Sequence, residues 1–145
     1  MQKKEAEKPK ILQWIHRPEF EFQDLLQVLI GASILAIPVG FTEETWELGL
    51  SLPFLNVFLL FILSILFISV FVYYHYYSQH GLQKHLWEFI KRTFSTYVAS
   101  FAVVAVLLTI IQRTPWTVDF ILALKRTIIV TFPSSMSAVV ADILK

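Results

Sequence analysis

The chain has 145 residues, of which 56% are apolar and only 16% charged, with a formal net charge of +1 and no cysteine. One soluble core of this size could not hide so much apolar surface, whereas the hydrocarbon of a bilayer solvates it directly. The length allows a single domain, and the lack of cysteine excludes disulfides, thiolate metal sites and a cysteine nucleophile.

Residues 1–10 are polar and basic (MQKKEAEKPK), and no apolar run follows at once as a cleavable signal requires. The first such run, from Leu25, predicts an uncleaved anchor. Residues 11–23 set Trp14, Phe20 and Phe22 around Pro18 and predict an interfacial segment, with a plain polar leader as the alternative. Residues 1–23 thus form a tail ahead of one transmembrane domain over 24–145.

The first span is predicted over 24–41, uncharged from Leu25 to Phe41. Ala32, Ala36 and Gly40 recur every fourth residue, a small-residue face that lets another backbone approach where lipid supplies no hydrophobic drive for association. Pro38 removes a donor near the end of that span. Residues 42–51 form a connection with three glutamates and no basic residue. The second span, 52–74, is uncharged throughout and is the clearest transmembrane signal.

The loop 75–93 carries Tyr73, Tyr74, Tyr76, Tyr77 and Trp87 on or beside it as an aromatic belt, and 82–92 predicts a short surface helix. The third span, 94–112, offers Ser95, Ala99, Ala102 and Thr109 as a packing face. The short turn 113–116 makes spans three and four antiparallel neighbours. The fourth span, 117–144, contains Asp119, Lys125, Arg126 and Asp142, with Pro133 between. One long broken helix is the preferred reading, and a surface half-helix up to Arg126 followed by a span is the alternative. The fold class is therefore all-α, a polytopic bundle of four transmembrane helices.

Basic residues collect on cytoplasmic sides. Lys3, Lys4, Lys8, Lys10, Arg17, Lys84, Lys91, Arg92 and Lys145 lie on one side, against Arg113 on the other. Both termini are therefore expected in the cytoplasm, with Trp46 and Trp116 together at the outer interface.

Four places carry candidate chemistry. Glu43 and Glu47 share a face if 42–51 is helical, and Glu44 lies beside them. Like charges so placed invite a cation, a shared proton or water, and a ring of them would draw cations to a pore mouth. An acidic loop that only helps set orientation is the plain alternative. Lys125 and Arg126 fall roughly 13 Å beyond Trp116 along a helix, where ionisable groups cost at least about 2.5–3.5 kcal/mol and usually face a bundle interior. Their natural partners are Glu44, Glu43 or Asp119, in a staple, a gate or an anion site; snorkelling to the surface is the alternative. His75, His80 and His85, spaced by five, do not converge on a metal and read as interfacial, with pH sensing as the other use. Pro133 frees a carbonyl beside Ser134, Ser135 and Ser137, as in transporter ion paths, although Ser134, Ala138 and Ala141 also make a packing face.

Pro38, Thr42, Glu44, Trp46 and Gly49 fit the pattern P-x-x-x-T-x-E-x-W-x-x-G. This stretch resembles the signature of a family of small prokaryotic integral membrane proteins catalogued as a domain of unknown function. The resemblance implies that Thr42, Glu44 and Trp46 act as a unit. The family pattern carries an apolar residue where Glu43 stands, which favours Glu44 as the functional carboxylate.

No nucleotide loop, metalloprotease motif or lipase elbow is present, so neither a cofactor nor an enzymatic activity is expected. The expected function is a channel or ion-coupled transporter in a prokaryotic plasma membrane, working as a homo-oligomer on an inorganic cation or proton. Glu43, Glu44, Glu47, Lys125 and Arg126 would bind or gate, and Pro38, Thr42, Trp46, Asp119, Pro133 and Ser134 would support them. The alternative is an accessory subunit packing against other membrane proteins. The basic tail is too dilute for nucleic acid and suits anionic lipid.

Overall fold

A computed structural model describes residues 22–77 and 82–144. The basic tail, the interfacial segment up to residue 21, His80 and Lys145 lie outside the described residues. The elements are α1 (Phe22–Gly40), α2 (Glu43–Ser51), α3 (Phe54–Val72) continued by a π turn (Tyr73–Tyr77), a 3₁₀ turn (Leu82–Lys84), α4 (Leu86–Ile110) and α5 (Phe120–Ile143). No strand occurs among the described residues. Three helices, α1, α3 with its π turn, and α4, are long and apolar enough to cross a membrane. The fourth long helix, α5, has 24 residues but carries Lys125, Arg126 and Asp142.

The long helices alternate in direction. Asp24 at the start of α1, Tyr76 after α3, Arg92 near the start of α4 and Asp142 at the end of α5 all meet at one end of the bundle. The opposite end holds α2 and the turn 111–119. The helix α5 is central, packed against α1, α3 and α4 and touched by α2. Its buried stripe (Ala123, Thr127, Val130, Ser134, Ala138, Asp142) follows the helical repeat on one face. Large apolar side chains such as Ile30, Leu55, Phe58, Leu66 and Ile110 stand exposed on the outer surface, where lipid can take them up.

The small-residue face of α1 is buried as expected: Ala32, Ala36 and Gly40 all lie inside. Gly31 makes the tightest approach. A Cβ there would stand 2.5 Å from Ala141 Cβ and 2.9 Å from Ala138 Cα, so only hydrogen fits between α1 and α5.

Several local expectations change. Residues 82–92 do not form a separate surface helix; a 3₁₀ turn leads into α4, which starts at Leu86 rather than at residue 94. The helix can begin early because Arg92 finds carboxylate partners inside the bundle. The buried face of α4 is accordingly Arg92, Thr96, Ser100, Val104 and Leu108, while Ala102 and Thr109 are exposed. Residues 43–51 form a helix. The fourth long helix is single, as preferred, but it starts at Phe120 rather than at residue 117 and runs through Pro133 without the expected break.

Candidate functional site

At one end of the bundle a complete arginine side chain is buried. Arg92, 1% exposed, lies between Asp142 at 1% and Asp24 at 4%. Its Nη1 donates to Asp142 Oδ2 at 2.8 Å and its Nη2 to Asp24 Oδ2 at 3.1 Å. The planar fork of a guanidinium suits two partners on separate edges, so one side chain from α4 ties α1 to α5. The ring of Tyr76 lies 4.0 Å from the guanidinium carbon, and its hydroxyl donates to Asp142 Oδ2 at 3.2 Å. Tyr76 and Tyr77 come from the π turn that continues α3, which holds Tyr77 buried and Tyr76 half-buried. Around the cluster, the Tyr77, Tyr97 and Thr93 hydroxyls are buried without a hydrogen bond among the described residues.

From Arg92 a column of hydroxyls runs along the interior. Thr96 and Ser100 follow at successive turns of α4. Ser134, Ser135, Thr131 and Thr127 line the buried stripe of α5, and Ser64 is buried on α3. Each of these hydroxyls donates to a carbonyl three or four residues earlier in its own helix, for example Ser100 to Thr96 at 2.8 Å and Ser134 to Val130 at 2.8 Å. Toward the opposite end the interior also holds an apolar cluster of Ala36, Val104, Leu108 and Val130.

That opposite end is pinned differently. The indole of Trp46 donates to the Gly40 carbonyl at 2.8 Å, satisfying an orphan acceptor at the end of α1. Arg126 reaches from α5 to the Trp46 carbonyl through Nε at 3.2 Å and to the Arg113 carbonyl through Nη1 at 2.6 Å. The guanidinium of Arg113 stacks 3.7 Å from the centre of the Trp46 ring. Gly49 makes room for this clamp, since a Cβ there would meet Arg126 Cγ at 2.5 Å. The Arg113 carbonyl is aimed by a Schellman ending of α4: Gln112 sits at φ 60°, Arg113 N–H bonds Leu108 O, and Gln112 N–H bonds Thr109 O.

Of the pattern residues, Thr42, Trp46 and Gly49 hold the junction of α1, α2 and α5, whereas Pro38 and Glu44 stand exposed. Thr42 donates to the Val39 carbonyl at 2.8 Å, which leaves the Thr45 hydroxyl as donor to Thr42 Oγ1 at 2.6 Å. Thr42, Trp46 and Gly49 lock α2 across the ends of α1 and α5. Pro38 is exposed in the last turn of α1. Glu43, Glu44 and Glu47 are all exposed on α2, and none forms an ion pair with Lys125 or Arg126 among the described residues. Glu43 and Glu44 occupy the first turn of α2, where the helix dipole favours them. Asp119, considered as a partner for Lys125, instead caps α5 by accepting from Leu122 N–H at 3.0 Å. Lys125 is half-buried, and Arg126 forms the polar clamp with Trp46 and Arg113. Pro133 is half-buried, Ser134 faces the hydroxyl column, His75 is exposed and His85 is half-buried.

A family model described as "Putative integral membrane protein (DUF2391)" matches residues 1–144. The chain belongs to this family. No curated protein and no solved structure matches it. Membership agrees with the three apolar helices found among the described residues and makes a lipid bilayer the setting of the protein.

Sequence reasoning missed the Asp24–Arg92–Asp142 cluster. Asp24 read as the edge of a span, Arg92 as a loop charge and Tyr76 as a member of a belt. The available signal was the polar repeat Arg92–Thr96–Ser100 at helical spacing. Once helix directions alternate, it faces Asp24 and Asp142 from the same end.

Proposed function

We propose that the protein is an ion-conducting or ion-coupled transport protein of a prokaryotic plasma membrane, represented here with its path closed. All four long helices span the bilayer in this reading, and both termini are cytoplasmic. With Arg92 counted inside the bundle, Lys3, Lys4, Lys8, Lys10, Arg17, Lys84, Lys91 and Lys145 still outnumber Arg113, Lys125 and Arg126 at the other end. The carrying observation is the complete burial of Arg92 between two aspartates, continued by the hydroxyl column. Ionisable groups held among membrane helices are costly and mark ion paths and proton relays.

The path in this proposal begins at the Arg92 cluster and follows Thr96, Ser100, Ser135 and Thr131. It replaces a route between α1 and α5 near Glu44 and Lys125; toward the Arg92 end these two helices leave no space, because Gly31 packs directly against Ala138 and Ala141. An inorganic cation or a proton is the transported or coupling species. Because α5 fills the centre of the bundle, a wider path is formed by a homo-oligomer or by separation of α4 from α5.

Reconstitution into liposomes tests this reading. Wild-type protein is expected to carry protons or a monovalent cation above empty liposomes, Asp142→Asn to lower that flux, and Glu44→Gln to leave it unchanged. No flux above empty liposomes for protons, cations or anions would refute it. That result favours the second reading, an accessory subunit stapled by Arg92, which is supported by hydroxyls satisfied within their own helices and by the close α1–α5 packing.

A further inference from the structure

The clamp at the Trp46 end has a charge arrangement that the proposed transport path does not use. Arg113 and Arg126 both touch Trp46, one on its ring and the other at its carbonyl. Arg126 spends Nε and Nη1 on backbone carbonyls and keeps Nη2 without a partner among the described residues. Arg113 is exposed, and its guanidinium makes no hydrogen bond or ion pair among the described residues. Two positive groups are thus held on one residue, Trp46, where their like charges repel. Three glutamates lie on the same short helix as Trp46, and none pairs with either arginine among the described residues.

Two guanidinium groups held in fixed orientation by a ring face and two carbonyls make a preorganised receptor for an oxyanion. Trp46 and Trp116 mark this end as the level of the headgroups, where phosphate is the abundant anion. The Trp116 indole is itself anchored, donating to Thr109 Oγ1 at 2.8 Å. We propose that Arg113 and Arg126 together bind a phosphate group at the membrane interface, with Arg126 Nη2 and the free edge of Arg113 as donors. The phosphate can belong to an anionic phospholipid or to a free phosphate ion, because both present the same oxygens. This site stands independently of ion transport.

Trp46 lies beneath Arg113, so its fluorescence reports the site. A protein carrying Trp14→Phe, Trp87→Phe and Trp116→Phe retains Trp46 as its only tryptophan. In maltoside detergent it is titrated with sodium phosphate, with phosphatidylglycerol in mixed micelles, and with diacylglycerol as the lipid without phosphate. Saturable change of Trp46 emission is expected from the phosphate-bearing probes and not from diacylglycerol. Arg113→Gln, an exposed position, is expected to weaken binding by about tenfold or more, and Arg113→Lys by less, because charge survives but the planar fork does not. Phosphatidylglycerol binding that inorganic phosphate displaces supports a phosphate site open to both sources. Phosphatidylglycerol binding without such displacement supports a lipid headgroup site. If neither phosphate-bearing probe changes the emission, or Arg113→Gln binds as tightly as its parent, the proposal is overturned.

Discussion

Each end of the bundle secures its helices with an arginine, and the two ends solve the problem in different ways. Arg92 is fully buried and faces two carboxylates. Arg126 is partly exposed and faces two backbone carbonyls. A guanidinium removed from water needs formal negative charge, because neutral acceptors cannot repay its desolvation. One that still meets water or headgroups is held adequately by peptide dipoles. The comparison teaches that depth, rather than residue type, decides which arginine becomes an ionic centre and which becomes a clamp.

The largest effect should come from Arg92. Arg92→Met leaves two carboxylates buried without the guanidinium, at a cost of about 3–5 kcal/mol. Reversible unfolding in mixed micelles measures it, and a loss below that of Gly31→Ala would break the comparison. Gly31→Ala should cost about 1–3 kcal/mol through overpacking against Ala141. Adding Ala141→Gly should recover only part of that loss, as a double-mutant cycle will show, because Ala138 Cα at 2.9 Å and Ser137 O at 3.0 Å remain in the way. Gly49→Ala should cost about 1 kcal/mol, because Arg126 is flexible and can retreat while losing a hydrogen bond to a carbonyl. At Gln112, whose φ is 60°, substitution by glycine should stabilise by up to about 1 kcal/mol. Glu44→Gln, on an exposed helix start, should move stability by no more than about 0.5 kcal/mol. If it instead costs as much as Gly31→Ala, the acidic cluster has a structural role that the clamp does not explain.

Much of the fold was legible because long apolar runs and small-residue spacing report directly on lipid and on helix packing. The runs behind α1 and α3, and the buried face Ala32–Ala36–Gly40, are of this kind. The α2 helix was less legible: its acidic, short sequence reads equally as a loop, and it is fixed by tertiary bonds from Trp46 and Arg126. The start of α4 was hidden for the opposite reason. Charges at 84–92 look like a surface segment until the partners of Arg92, 68 and 50 positions away in sequence, are known. The repeat Arg92–Thr96–Ser100 marks a polar face at helical spacing, but it does not say which carboxylates that face meets. The pattern pointed to Thr42 and Trp46, but not to their geometry: both act on carbonyls, which no side-chain pattern displays, and Glu44 stands apart from them.

The central claim is that the buried Arg92 cluster serves ion movement and does more than hold helices together. A variant with Arg92→Met, Asp24→Asn and Asp142→Asn removes all three charges at once, and replacement of buried ionic groups as a set is often tolerated in stability. Ion flux through liposomes containing this variant, after its fold is verified by unfolding in micelles, separates the two roles. The account predicts a folded protein whose flux falls to that of empty liposomes. A folded variant with wild-type flux would contradict it.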